Sequence, residues 1–297
     1  MKRTLLLILC TVLAALAGVN AQLLWKVEGK GLQKPSYLLG THHFIPASFI
    51  DSIAGAREVI DSCDVVYGEM ALSDIDPVQT RKIMAEFVVA PSDSTLTDVM
   101  TSQQLDSLTV FLKGISSDDY KLETDNLVMF KPAFVNQAII QLISMSTPVG
   151  EGENMDGNID IYVQEYARIR NKEIKGLETF RQQCQLLYGQ PIHKQVDDLM
   201  QTLRDPRSLI DDDIELKEAY KHGDIEKLEE MFRDPEKLSA ADRKILLDNR
   251  NAVWIETIEQ IMPRQSMFIA VGLGHLLTDT GLIKMLRGRG YTVEAMK

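Results

Sequence analysis

Tyr37-Leu38-Leu39-Gly40-Thr41-His42-His43 and Phe268-Ile269-Ala270-Val271-Gly272-Leu273-Gly274-His275 decide how this chain reads. Each is a short apolar run, as expected of a strand buried on both faces, and each ends in Gly-x-x-His. Before the first run, Leu23–Val27 reads as a strand, Gly29–Gln33 as a turn and Pro35–Leu39 as the second arm of a hairpin. After it, Ser48 and Asp51 have the spacing of a capping box, and Ile50, Ile53, Ala54 and Ile60 mark one face of a helix reaching about Ser62. Asp64–Glu69 then reads as a strand ending on a carboxylate. Around the second run the same order recurs. A strand over Ser266–Val271 leads through the turn to a helix over Gly281–Arg287, Gly288 and Gly290 stop it, and a strand follows over Tyr291–Glu294. Two strand–helix–strand units predict parallel pairing under helical cover. Ligands of such sheets bind outside the carboxyl ends of the strands, where His43, Glu69 and His275 fall.

The stretch between the units, about residues 76–262, has helical spacing. Asp76-Pro77, Thr101 and Lys131-Pro132 open successive helices. A Gly- and Glu-rich loop over 146–158 precedes a helix over Ile159–Arg170 and a short strand at Glu173–Glu178. The expected fold is therefore α/β (α+β): a central mixed β-sheet built from two repeated strand–Gly-x-x-His–helix–strand units, with a large helical insertion as a layer or lid. No stretch rich in Pro, Gly or Ser divides the chain, so a single domain over 22–297 is expected. Its N-terminal half-unit covers about 23–70, the insertion about 76–262 and the C-terminal half-unit about 266–294.

Residues 1–21 read as a signal peptide. Lys2 and Arg3 precede a mostly apolar run from Leu5 to Ala17, and Val19-Asn20-Ala21 fits a small-x-small cleavage site. The run is shorter than the roughly 20 residues a membrane-spanning helix needs. The expectation is export to the periplasm or the extracellular space, with no stable membrane anchor after cleavage. Removing Lys2 and Arg3 takes the formal net charge from −11 to −13. That acidity argues against nonspecific nucleic-acid binding, which draws on basic patches. Of the three cysteines, Cys10 lies in the leader. Cys63 and Cys184 either pair in an oxidising compartment or serve as small buried apolar residues.

The chemistry rests on the two Gly-x-x-His turns. A glycine lets backbone turn sharply and approach a ligand closely, which gives Gly40 and Gly272 a role beside the histidines. Neutral imidazole suits Zn, Fe, Ni and Cu, and a carboxylate at the same sheet edge completes a three-ligand set of His43, Glu69 and His275. Such a set leaves a position for water, which the ion acidifies. Competing motifs are poorer. Gly272-Leu273-Gly274 is half of a dinucleotide fingerprint, and no Gly-x-Ser-x-Gly elbow or His-Glu-x-x-His is present.

Leu39-Gly40-Thr41-His42-His43, Gly68-Glu69, Gly176-Leu177-Glu178-Thr179, Asn249-Arg250-Asn251-Ala252-Val253-Trp254 and Ala270–Leu276 resemble the TraB/GumN family, which includes Tiki-like metalloproteases. The resemblance runs from about Leu24 to Glu294. It implies an α/β fold of two repeated halves, a divalent metal (Mn, Co, Zn or Fe) as cofactor and a peptide or protein as substrate. Carried over by position, Gly40–His43, Glu69 and Gly272–His275 are the motif residues. Arg250 with Asn251 matches a pair on a helix. There Arg250 either holds a substrate carboxylate or oxyanion, or forms a salt bridge to Asp248, Glu178 or another carboxylate. Asp156 and Glu178 match supporting positions. His42, where relatives often carry isoleucine, adds a ligand or proton shuttle, or fills space. The function implied is a secreted or periplasmic metal-dependent peptidase-type hydrolase. The alternatives are a peptide-sequestering protein and a metal-free esterase-like hydrolase using His43 and Glu69 as acid and base.

Overall fold

Strands that bury every residue must be covered on both faces, and that condition organises this chain. The computed structural model describes residues 22–72, 76–115, 123–147 and 157–296. The described strands are β1 (Leu24–Glu28), β2 (Ser36–Thr41), β3 (Val65–Gly68), β4 (Glu173–Gly176), β5 (Met267–Gly272) and β6 (Thr292–Ala295). They form one sheet in the order β4-β3-β5-β2-β1-β6. All residues of β2 and β3 are buried, and β5 is buried up to Val271.

The two Gly-x-x-His strands are neighbours. β2 pairs parallel with β5, with Gly40 opposite Val271 and Thr41 opposite Gly272. β3 pairs parallel with β5 on its other side, and β4 with β3. β1 runs antiparallel to β2 and to β6, which makes the sheet mixed. Each predicted unit is present, but the two interlock rather than lie side by side. β5 inserts between β2 and β3, so the carboxyl ends of β4, β3, β5 and β2 line up in that order along one sheet edge.

One local expectation fails. The helix predicted from the Ser48–Asp51 spacing is two pieces, a 3-10 helix over Ala47–Ser52 and an α-helix over Ala56–Ser62. Gly55, at φ +74°, makes the break, in a backbone region that a residue with a Cβ rarely enters. Pro46 precedes the first piece, with no side-chain cap. Elsewhere the start signals hold. Asp76 accepts from the Val78 amide at 2.8 Å, and Thr101 and Gln104 cap each other's backbone.

The helical insertion divides its packing. Tyr220, Leu228, Trp254, Ile255 and Ile258 join the main core with Leu38, Leu39, Phe268 and Ile269. The helices Pro132–Ser146, Ser102–Ile115 and Ile192–Arg204 instead build a second core from Leu108, Val135, Ile139 and Leu199. Cys184 packs in a third cluster with Phe87 and Tyr188, and its thiol approaches Met84 Sδ at 3.8 Å. Cys63 lies in the main core and burial pushes its thiol up to about 12. Both cysteines are free.

Candidate active site

The glycines of the two turns are explained by crowding rather than by unusual backbone angles. A Cβ on Gly40 would lie 2.2 Å from Leu273 Cδ1 and 3.2 Å from Leu273 Cβ, so the first turn packs directly on the second. A Cβ on Gly272 would lie 3.2 Å from Glu69 Oε1. With only hydrogen there, the Gly272 amide donates to that oxygen at 3.0 Å. We expect Gly40→Ala to cost about 1–3 kcal/mol through overpacking, read as a shift in the urea midpoint at unchanged m-value.

Glu69 follows β3 and is 9% exposed. Its Oε2 accepts from Arg250 Nη2 at 2.6 Å and from Gln183 Nε2 at 3.1 Å. Burial alone would raise its carboxyl, but His275, Arg250, His43 and the Gly272 amide together outweigh that and hold it well below the usual carboxylate range. His275, 3% exposed, stands 3.7 Å from Glu69 Oε1 through its Nε2. Its Nδ1 lies 2.7 Å from Asn251 Oδ1. Asn251 Nδ2 donates to the His275 and Thr280 carbonyls at 3.1 and 2.9 Å, which assigns the amide oxygen to the imidazole. Nδ1 therefore carries the proton and Nε2 the lone pair. Burial pushes this imidazole down to about 3, over the pull of Glu69 and with help from Arg250 and His43. The ring stacks on Trp254 at 4.3 Å between centroids. A depressed histidine of this kind stabilises the fold above pH 6.5, and that contribution fades as pH falls from there through about 3.

Arg250 joins these groups. Its Nη1 lies 2.8 Å from His275 Nε2 and donates to the Leu246 carbonyl at 2.9 Å. Nε and Nη2 meet Glu178 side-on at 3.0 and 2.7 Å. The salt bridge to Glu178 considered from the sequence is thus present, with a second to Glu69, and Asp248 instead accepts from Thr280 Oγ1 at 2.5 Å. A π-wound turn over Lys244–Asp248 sets up the start of the Arg250 helix; such turns often occur at functional sites.

His43 sits apart from this cluster, its side chain 58% exposed. Its Nδ1 lies 2.9 Å from Asp160 Oδ2, while Thr41 Oγ1 donates to Asp160 Oδ1 at 2.5 Å. Asp160 raises the His43 imidazole to about 9 against the opposing effect of burial. The pair therefore adds stability below pH 6.5 and loses it as pH rises through about 9. Asp160→Asn should bring the His43 transition from about 9 back toward 6.5 in an NMR titration of the ring protons; an unmoved midpoint would rule out the ion pair as its cause. Asp160, the partner of His43, has no marked signal in the sequence. It reads as an ordinary first-turn acid of the helix Ile159–Ile169, four positions from Asp156, which lies outside the described residues.

His42 points elsewhere. Its Nδ1 accepts from the Phe44 amide at 3.1 Å and its ring packs on Tyr220 at 5.5 Å. Burial pushes it down to about 4, which leaves the imidazole neutral at pH 7. Tyr220 in turn donates to the Gly40 carbonyl at 2.8 Å, tying the helical insertion to the first turn.

The donor chemistry suits a divalent cation. Both imidazoles are oriented through Nδ1, by Asp160 and Asn251, the arrangement that presents Nε2 to a metal. The 3.7 Å between His275 Nε2 and Glu69 Oε1 is within the span of two donors about 2.0–2.2 Å from one ion. His43, at the end of the adjacent strand, is a third donor of matching type. In this arrangement, though, Arg250 engages His275 and Glu69. Among the described residues no group of three or more His, Cys, Asp or Glu side chains is placed to hold a metal.

No curated protein and no solved structure matches the chain. The family model described as TraB/PrgY/gumN matches residues 23–295, which includes both Gly-x-x-His turns, Glu69, Glu178 and the Arg250-Asn251 pair. On that match over nearly its whole length, the chain belongs to the TraB/PrgY/gumN family.

Proposed function

We propose that this family member is an exported, metal-dependent hydrolase of peptide or protein substrates. The observation that carries the reading is the meeting of Glu69 and His275 at one sheet edge, each buried and each fixed by a dedicated partner, with His43 on the neighbouring strand end. His43, Glu69 and His275 would hold the metal, as Mn²⁺, Co²⁺, Zn²⁺ or Fe²⁺. Bound there, the metal supplies an acidified water and a Lewis acid. The chain's own groups do the rest. Asn251 keeps the His275 Nε2 lone pair available, and the Gly272 amide and Gln183 fix both oxygens of Glu69. His43 holds a proton at neutral pH, so ligation releases that proton and affinity rises with pH toward about 9.

Peptide as the substrate class draws on the likeness to Tiki-like proteases, and export on the reading of residues 1–21. No helix among the described residues is long and apolar enough to cross a membrane. The formal charge of −11 offers nucleic acid little attraction.

One observation favours a second reading. The exposed His43–Asp160 pair and the guanidinium at Glu69 and His275 also suit a metal-free, esterase-like acid–base hydrolase, with His43 Nε2 delivering a proton. A peptide-library cleavage assay after chelation separates the readings. Cleavage lost on chelation and restored by Mn²⁺ or Co²⁺ supports the metal hydrolase. Cleavage untouched by chelation supports the second reading, and peptide binding without turnover under every metal supports sequestration.

A further inference from the structure

Arg250 occupies the His275 nitrogen a metal would use and one carboxylate oxygen of Glu69, the other oxygen being the one 3.7 Å from that nitrogen. Nη1 meets His275 Nε2 at 2.8 Å and Nη2 meets Glu69 Oε2 at 2.6 Å. The remaining contacts are of another kind: a two-point pairing with Glu178 and a bond to the Leu246 carbonyl. The guanidinium is 13% exposed and packs over Trp254 at 4.6 Å. A divalent ion ligated by both Glu69 and His275 would lie against this buried cation. With so little water between them, the two charges repel strongly. Both therefore cannot hold Glu69 and His275 at once. The pairing with Glu178 provides a pivot that survives the loss of those two bonds. A cavity of about 220 Å³ provides the room, lined by Glu178, Gln182, Asn249, Arg250, Val253 and Trp254.

We propose that Arg250 is an internal cation competing with divalent metal for Glu69 and His275, so that its swing on Glu178 sets the metal affinity of the site. The inference rests on the metal-hydrolase reading and deepens it. Arg250 becomes the residue that decides when the site is loaded, rather than one that only binds substrate.

The test is Co²⁺ binding to the full mature chain, followed by calorimetry and by the visible absorption of the bound ion, for wild type, Arg250→Met and Arg250→Lys. Methionine keeps an unbranched apolar stem in place of the arginine's and removes the competing charge. It should bind Co²⁺ about tenfold or more tighter than wild type, because a competent state that is rarely populated weakens apparent affinity in proportion. Lysine keeps the charge but cannot reach His275, Glu69 and Glu178 together, and should fall between the two. Co²⁺ should also raise the unfolding temperature of Arg250→Met more than that of wild type. Equal or weaker binding by a folded Arg250→Met overturns the competition while leaving the metal reading in place. If methionine prevents folding, lysine decides: severalfold tighter binding than wild type supports the proposal and equal binding overturns it. Absence of Co²⁺ binding in all three proteins defeats the metal reading and the competition with it.

Discussion

Glu69→Gln is expected to lower stability by about 3 kcal/mol or more, although the side chain keeps its shape. Glu69 accepts on both oxygens: Oε1 from the Gly272 amide, Oε2 from Arg250 and Gln183. A glutamine has one oxygen and one NH₂. Whichever way it turns, a buried donor faces another donor, and Arg250 loses one of its two carboxylates. Urea unfolding at pH 7 measures the loss, and a change below about 0.5 kcal/mol would show that Glu69 is not held as described. On the proposed hydrolase reading, peptide cleavage should fall further than stability alone explains, by about 10²-fold or more, because the same substitution removes an anionic ligand or proton acceptor.

Lys217→Met is expected to cost about 3–5 kcal/mol, away from the site. Lys217, on the helix Pro206–His222, is fully buried, and its ammonium is saturated. It donates to the Ser144 carbonyl and Thr147 Oγ1 at 2.5 Å each, and pairs with Asp213 at 2.8 Å. It therefore closes the carboxyl end of the helix Pro132–Ser146, where a cation suits the unpaired carbonyls. Methionine would leave Asp213, 12% exposed, without its counter-charge. Adding Asp213→Leu should recover part of the loss, since replacing both partners costs less than stranding one. A double-mutant cycle in urea reads that coupling, and strict additivity would contradict it.

The architecture was legible where burial dictated composition. β2 and β5 are covered on both faces, so they show as unbroken apolar runs, and both runs end in the motif that identifies the site. The placement of β5 between β2 and β3 was not legible, because strand order depends on long crossovers that leave no local trace. The break at Gly55 was missed because the apolar spacing of Ile50, Ile53 and Ile60 continues across it. His43, Glu69 and His275 were readable as strand-end residues, and the sheet brings all three ends to one edge. Their partners were readable only in part. Asn251 and Glu178 came with the family resemblance, whereas Asp160 looks like any helix-start acid. Arg250 was recognised, but its grip on Glu69 and Glu178 joins segments 181 and 72 residues away along the chain, which no local pattern reveals.

The central claim is that Glu69, His275 and His43 share a metal. It is tested most directly by anomalous diffraction at the manganese edge, on crystals of the protein grown with Mn²⁺. The expected result is a single strong peak bonded to Glu69 and to Nε2 of both His275 and His43, with Arg250 drawn back onto Glu178. Crystals of protein that cleaves peptide, with no peak there and Arg250 still bonded to His275, would contradict it.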